Sequence, residues 1–520
     1  MENMAPLMFA GLVIVMLIGF PVAFSLAALG LVAGFVSIEL GFFPPQYMAN
    51  LPLRVFGILS NDLLLAIPFF TFMGAVLERC GLAEDLLEGT GQLFGSVPGG
   101  LAYAVVIVGA ILGAITGTVA ASVIAMGVIS LPIMMRYGYN MRLATGVIAA
   151  SGTITQVIPP SLVLIVLADQ LGRSVGDMYL GAIGPSIAQT LIFLVYIFIL
   201  SRLRPHYMPP LPPEARTISG FALWRKVLWG MVPSIVLIFL VLGTIFMGWA
   251  TPTEAGAMGA VGAILLAAMH GRLTWTLLRQ GMDSTARITA MVIFILIGAT
   301  VFSLVFQGVD GGIWIEHMIM HVTGGSPAVF LILVNLFVFF LAFFLDFFEI
   351  AFIIIPLLAP VADKMGIDLI WFGVLLCVNM QTSFMHPPFG FALFYLRGIA
   401  PKEVKSRDIY LGSIPWVLLQ LLLVAILIFW PGLVTSFLDK PHSVDLNTIE
   451  IQVESIGGEE PEQSEEAGGD EGEADAEGEG ESSGQEPAEE GQAQGQARGE
   501  AGAAAGGDAA SGSGPPGASR

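Results

Sequence analysis

Two proline pairs sit where proline is most disruptive. Pro159-Pro160 and Pro387-Pro388 each fall inside a long apolar stretch, in "GTITQVIPPS" and "QTSFMHPPFG". Proline lacks the backbone N–H and its ring clashes with the preceding turn, so each pair must break a helix. Inside a membrane, the backbone groups freed by such a break cannot stay unpaired, and non-helical chain there is tolerated only around a buried site or cavity. The neighbours of each pair are small or carry oxygen. Ser151, Gly152, Thr153, Thr155 and Gln156 precede the first; Asn379, Gln381, Thr382 and Ser383 precede the second, with Gly390 after it. Freed carbonyls joined by side-chain oxygens suit a hard, weakly held cation such as Na⁺, and helix N-termini suit an anionic group of a substrate. A kink that only shapes packing is the alternative for one pair alone. Two pairs at corresponding places favour a site.

Acids come next. "FLDFFEIA" places Asp346 and Glu349 in the middle of a second apolar stretch. Carboxylates at membrane depth are costly, usually face the protein interior and mark a pathway. Their i, i+3 spacing puts them on one face if that segment is helical. Cation binding, proton relay, pairing with a buried base and a hydrogen-bonded helix cap all remain open for the pair. His386, beside the second proline pair, is a candidate for lining the substrate pathway, as are Gln156, Gln381, Ser383 and Glu349. His317 and His321 are expected on a solvated outer loop. Cys80 and Cys377 have no spacing that implies a metal or disulfide framework.

The elements that must hold these residues follow from composition. The chain has 520 residues, 55% hydrophobic and 12% charged, with mean hydropathy +0.82. Soluble domains carry about 25% charged residues, so this is a membrane-protein composition. The net charge of −20 arises almost wholly from the C-terminal end: residues 436–520 hold 3 Lys+Arg against 21 Asp+Glu, and residues 1–435 hold 18 against 20. The tail has no aromatic residue after Phe437 and cannot bury enough apolar surface to offset chain entropy, which predicts a disordered acidic extension. The first residues lack a basic n-region and an A-x-A-like cleavage site, so no cleavable signal peptide is expected.

A helix needs about 20 apolar residues to cross the hydrocarbon core. Crossings are expected near 5–18, 20–38, 57–77, 143–168, 181–201, 227–248, 252–269, 288–307, 369–396 and 411–434. Two further stretches, about 100–137 around "AITGTVAAS" and about 327–363 around "FLDFFEIA", are expected to be re-entrant hairpins. The one without charge, Leu101–Met135, is too long for one straight crossing and too short for two with a turn. The positive-inside rule then puts four basic loops on the cytoplasmic face: Arg136/Arg142, the central loop with Arg202, Arg204, Arg216, Arg225 and Lys226, the Arg272/Arg279 loop, and Arg397/Lys402/Lys405/Arg407. Both termini fall on the outer face.

The chain also repeats itself. "DMYLGAIGP" from Asp177 is echoed by "DIYLGSIP" from Asp408, offset 231. "GFPVAFSLAALG" and "GWATPTEAGAMG" are offset by 229, "ISLP" and "IIIP" by 224, and the proline pairs by 228. Four landmarks in one order at nearly one spacing indicate a duplication. Each half holds five crossings and one hairpin, an odd number of crossings, so the second half enters the membrane from the opposite side. The expected fold is all-α and polytopic, with a first inverted repeat over 1–203, a cytoplasmic basic linker over 204–226, a second repeat over 227–435 and the tail over 436–520. Inverted repeats with broken helices are the architecture of many secondary transporters.

With those motifs in view, the chain resembles the large membrane subunit of TRAP transporters, the tripartite ATP-independent periplasmic family. The resemblance covers about residues 1–435 and rests on "IGFPVAF", "IPFFTFMG", "GGLAYAVVIVGAILGAITGTVAAS", "LPIMMRYGYN", "AASGTITQVIPPS", "MYLGAIGP", "ATPTEAGAMGA" and "NMQTSFMHPPFG". It implies an elevator-type, Na⁺-dependent importer of organic acids in a bacterial inner membrane. It also implies two partners, a small four-helix membrane subunit and a periplasmic substrate-binding protein, with lipid around it and no role for nucleic acid. By motif, it places sodium at Thr116, Gly117 and Thr118 with Ser151, Gly152 and Thr153, and at Asp346 with Asn379 and Thr382. No other cofactor and no other metal is implied. Two features depart from the family pattern: His386 stands where threonine is usual, and Phe347, Phe348 and Glu349 follow Asp346 where small residues are usual. A stand-alone sodium/carboxylate symporter and an intramembrane enzyme using Asp346 and Glu349 are the competing readings. There is no Walker A motif, which excludes ATP-driven transport by this chain alone.

Overall fold

The computed structural model describes residues 3–216 and 220–438, apart from the side chains of Leu17 and Thr116. The acidic tail from 439 onward lies outside the described residues. Among them every regular element is a helix. α1 (Met4–Ile18) ends at Gly19, whose φ of +85° only glycine adopts easily, and Pro21 precedes α2 (Val22–Glu39). α3 (Leu51–Leu59) and α4 (Asp62–Arg79) follow, bent by 46° between them. The stretch expected as one crossing from residue 57 is therefore divided between α3 and α4, and α4 starts at 62. The Asn61 side chain accepts from Leu63 N at 2.9 Å, and this cap fixes the new start. α5 (Leu82–Leu93) leads into a helical hairpin, α6 (Gly100–Thr116) and α7 (Val119–Arg136), and then α8 (Met141–Thr153), α9 (Leu162–Leu171) and α10 (Val175–Leu203).

The second half begins with α11 (Gly220–Phe246), α12 (Pro252–Met269) and α13 (Trp275–Gly308). α14 (Gly311–Thr323) and α15 (Pro327–Leu341) are followed by α16 (Phe347–Ile353) and α17 (Ile355–Lys364). α18 (Leu369–Met380), α19 (Phe391–Ile399), α20 (Ser406–Phe429) and the short α21 (Gly432–Thr435) complete the chain. Several bases expected in loops are helical instead. Arg202 closes α10, Arg225 and Lys226 lie in α11, and Arg279 lies in α13. His317 and His321, expected on a loop, are exposed residues of α14. In each case the helix runs past its apolar stretch, because long basic and amphipathic side chains are good helix formers that keep their polar ends wet.

On length and composition, seven helices among the described residues can cross a membrane: α2, α7, α10, α11, α12, α13 and α20. The number rises to nine if the bent pairs at α3/α4 and α14/α15 each count as one span. The protein is a multi-pass membrane protein. Six of the ten expected crossings are single helices of this kind; of the other four, 5–18 is the short α1, 57–77 falls on the bent pair α3/α4, and the proline pairs cut the remaining two into α8/α9 and α18/α19. α7, expected as one arm of a re-entrant hairpin, is itself long enough to span.

Glycine sets the closest packing. A Cβ on Gly30 of α2 would lie 2.9 Å from the Phe302 backbone of α13, and one on Gly298 would strike the Ala23 carbonyl. Small residues at such crossings let helices touch through their backbones, which is how membrane helices gain packing without a hydrophobic driving force. α8 meets α20 in the same way, with Gly146 against the Gly412 carbonyl and Gly412 against that of Arg142. α18 packs in turn on α9 and α10. Each broken helix therefore lies against the long helix that ends the other half.

Candidate functional site

The first break is built from small residues and turns. α8 gives way to a 3₁₀ turn at Ile154–Gln156, and α9 restarts at Leu162 under a Ser161 cap that accepts from Val163 N at 3.2 Å. α6 closes over this break: a Cβ on Gly109 would lie 2.7 Å from Ser151 Cβ, and one on Gly113 2.9 Å from Thr155 Cα. α7 presses from the other side, where a Cβ on Gly152 would collide with Val123. The hairpin turns in two residues. Gly117, with φ +60°, ends α6, and Thr118 precedes α7 without a side-chain capping hydrogen bond. The hydroxyls of Thr153 and Thr155 donate back to the carbonyls of Ala150 at 2.9 Å and Gly152 at 3.1 Å. Thr153 Oγ1 also accepts from Gln420 Nε2 at 3.5 Å.

The second break is built with charge and aromatic rings. α15 stops at Leu341, and Asp346 caps α16. The Asp346 carboxylate accepts from Glu349 N at 2.9 Å, while the Glu349 carboxylate accepts from Asp346 N at 3.0 Å. This reciprocal capping box satisfies two orphan donors at once. The two acids thus adopt the helix-cap arrangement among those left open by sequence. Past α18, a 3₁₀ turn at Gln381–Phe384 leads to the second proline pair. Thr382 donates to the Asn379 carbonyl at 2.7 Å, and Asn379 Nδ2 donates to the Asn335 carbonyl at 2.7 Å, tying α18 to α15. Buried His386 stacks on Phe343 at 4.0 Å and meets Phe339 edge-on at 4.5 Å. Both proline pairs carry a cis bond.

The two breaks touch each other. Gln381 Nε2 donates to the Thr153 carbonyl at 2.8 Å, across 228 residues of chain. Gln381 Oε1 in turn accepts from Gln189 Nε2 of α10 at 2.6 Å and from Gln420 Nε2 of α20 at 2.8 Å. All three glutamines are buried. Gln189 and Gln420 were not among the sequence candidates. The signal was present: they are 231 apart, the same offset as the repeated "DMYLG" and "DIYLG" phrases twelve residues upstream.

In front of this junction lies a cavity of about 260 Å³. Gly117, Thr118, Val119 and Ala120 at the turn between α6 and α7 line it, as do Asp346, Phe347 and Phe348 at the start of α16. Gln156 and Leu162 belong to the first broken helix, Phe384, Phe391 and Tyr395 to the second, and Ile288 and Met291 to α13. Of the sequence candidates, Gly117, Thr118, Gln156 and Asp346 reach the wall. Ser151, Gly152, Thr153, Glu349, Asn379, Gln381, Thr382, Ser383, His386 and both proline pairs are not on it; the Thr116 side chain lies outside the described residues. No Lys, Arg or His is among the lining residues. The first residues of α7, α9, α16 and α19 all line the cavity, so four helix N-termini converge there. Their dipoles favour negative charge, and at α16 the capping carboxylates offset that. The buried oxygens Ser151 Oγ, Gln156 Oε1 and Asn379 Oδ1 have no hydrogen-bond partner. Buried polar atoms are normally satisfied, so these are acceptors waiting for a donor or a cation. The donor set fits Na⁺, which takes neutral oxygens.

Comparison with known proteins bears on what this arrangement does. Residues 9–433 match the family described as tripartite ATP-independent periplasmic transporter, DctM component. A C4-dicarboxylate TRAP transporter large permease protein of Pseudomonas aeruginosa is 30% identical over 395 residues, covering 75% of this chain and 89% of the relative. A sialic acid TRAP transporter large permease protein of Vibrio cholerae is 26% identical, covering 79% and 93%. The crystal structure of the Alcanivorax borkumensis YdaH transporter shares the fold, with TM-score 0.53 and 16% identity, covering 74% of this chain and 87% of that one.

Proposed function

The chain belongs to the DctM component family of tripartite ATP-independent periplasmic transporters, and on that premise we propose that it is the membrane carrier of a sodium-coupled importer for a small organic acid. It is a transporter component rather than an enzyme, as the family and the relatives described above are named for transport. One observation carries the finer reading: a single cavity receives both hairpin tips and both broken helices. A substrate there touches the first and second halves together, which alternating access requires. The anionic group is attracted by the open N-termini of α7, α9 and α19, since no base lines the wall. The oxygens of Ser151, Thr153 and Asn379, with the Asp346 carboxylate and the carbonyls freed at the breaks, hold sodium. Sodium supplies the driving gradient and stiffens the breaks around the substrate.

The two halves are inverted repeats in this reading, 1–203 and 227–435, and the hairpins and broken helices move together as an elevator. A small four-helix membrane subunit and a periplasmic substrate-binding protein complete the system in the bacterial inner membrane. The enzyme alternative loses its premise, since Asp346 and Glu349 are engaged in capping α16. The test is uptake into proteoliposomes holding this chain and the small subunit, with the binding protein loaded outside. An inward Na⁺ gradient should drive accumulation and a proton gradient without Na⁺ should not. Equal uptake under the proton gradient would overturn sodium coupling. Uptake without the binding protein would identify a stand-alone carrier.

A further inference from the structure

A second recess, of about 320 Å³, lies far along the chain's helices from the transport cavity and shares no lining residue with it. It is framed by the start of α8 (Asn140, Arg142), the end of α10 (Tyr196, Leu200, Arg204) and Tyr207, and by α20 (Leu411, Pro415). Two guanidinium groups face it. Arg142 gives only its Nε to Asp408, at 3.1 Å. Arg204 donates to the Tyr207 hydroxyl at 3.1 Å and lies 5.3 Å from that ring, and no acid pairs with it among the described residues. The N-terminus of α8, capped by Asn140, adds its positive dipole end. Two bases, a helix start and a tyrosine hydroxyl in a concave pocket describe an oxyanion site, and Arg in particular matches phosphate oxygens bidentately.

The surroundings decide what carries that oxyanion. Leu411 and Pro415 line the recess, and Leu418 and Leu422 continue the same face of α20 by their 4, 3, 4 spacing. Leu418 and Leu422 are exposed, as are Val195 and Ile199 next to Tyr196 and Leu200 on α10. A free anion has no use for an apolar track leading from its pocket toward membrane depth. A lipid has one. Basic pockets between transmembrane helices are a known setting for acidic headgroups.

We propose that this recess binds an anionic phospholipid, with its phosphate between Arg142 and Arg204 and an acyl chain laid along α20. The site joins the start of the first broken helix to the two long helices that carry Gln189 and Gln420, so the lipid braces that frame from the membrane surface. It does not depend on the transport reading above.

The test uses the full purified chain, delipidated in maltoside, with melting temperature and native mass spectrometry as readouts. Phosphatidylglycerol should raise the melting temperature and remain bound in the mass spectrum, whereas phosphatidylcholine should do so weakly and inorganic phosphate not at all. Arg204→Gln should weaken phosphatidylglycerol binding about fivefold, in line with the contribution of one base near an acidic lipid surface. Arg204→Lys, which keeps the charge but not the bidentate fork, should bind between the parent and Arg204→Gln, and Arg279→Gln, a base on another helix, should change nothing. Equal stabilisation by phosphatidylcholine, or an Arg204→Gln variant that binds like the parent, overturns the proposal. Inorganic phosphate reproducing the shift would make this a free-anion site and overturn the lipid.

Discussion

The two breaks stop a helix inside the membrane by different means. The first uses backbone. Gly117 takes a left-handed turn, α7 begins one residue beyond Thr118, and glycines at 109, 113 and 152 let α6 and α7 close onto α8. The second uses side chains. Its tip is longer, its helix is capped by Asp346 and Glu349, and Phe347 and Phe348 wall the cavity. The first end thus leaves its N-terminal dipole open, while the second brings its own negative charge. At the cavity the first tip presents an uncapped helix start and the second one whose positive end Asp346 and Glu349 offset, although the proline pairs look alike in sequence.

Three comparisons sharpen or break that contrast. Gly152→Val should have the largest effect, because its Cβ alone would come 3.1 Å from the Val123 backbone nitrogen and into its side chain. Overpacking of this kind costs about 3 kcal/mol, read as a clear fall in melting temperature in detergent. Met380, 228 residues further on, already fills its site with a large buried side chain, so the volume-conserving Met380→Leu should cost under about 1.5 kcal/mol. Equal losses at the two positions would show that the first break is no more tightly packed than the second.

Gln381→Leu comes next. It leaves the Gln189 and Gln420 amides and the Thr153 carbonyl without their partner. Unmade buried hydrogen bonds cost about 1–3 kcal/mol, so melting should drop by about 2 kcal/mol. A double-mutant cycle with Gln189→Leu should give a coupling above about 0.5 kcal/mol. Additive effects would mean the breaks are not joined through this glutamine.

Asp346→Asn should hardly change stability, because asparagine caps nearly as well as aspartate, within a few tenths of a kcal/mol. Its effect falls on the ion. Half-saturating Na⁺ for uptake should rise about 5- to 150-fold, the equivalent of about 1–3 kcal/mol for one lost oxygen interaction. Thr118→Val, at the uncharged tip, should leave Na⁺ dependence near that of the parent chain. Unchanged Na⁺ dependence in Asp346→Asn would remove the charge from the ion's site and erase the proposed difference between the tips.

Much of this was legible along the chain. Pro159-Pro160 and Pro387-Pro388 announce the breaks because proline cannot continue a helix anywhere. "AITGTVAAS" announces a tip because it is small and polar in an apolar run. The i, i+3 spacing of Asp346 and Glu349 fits a capping box as well as a shared helix face, and only the position of the α16 start chose between them. The start of α4 was misplaced for the same reason: Asn61 outranks the residues before it as a cap, which hydropathy does not register. Gln189 and Gln420 escaped notice because a lone glutamine in an apolar helix has no local signature.

Local chemistry fixes where a helix starts, turns and stops, and composition fixes that those helices lie in lipid; the sequence by itself determined both. Which helices touch was decided only in three dimensions. Thr153 and Gln381 are 228 residues apart, and nothing near either one names the other. Glycines at 146 and 412 allow α8 and α20 to close, which brings Gln420 of α20 against both Thr153 and Gln381, and a buried amide must find a partner somewhere. The cavity, its four convergent helix ends and its lack of a base follow from that meeting.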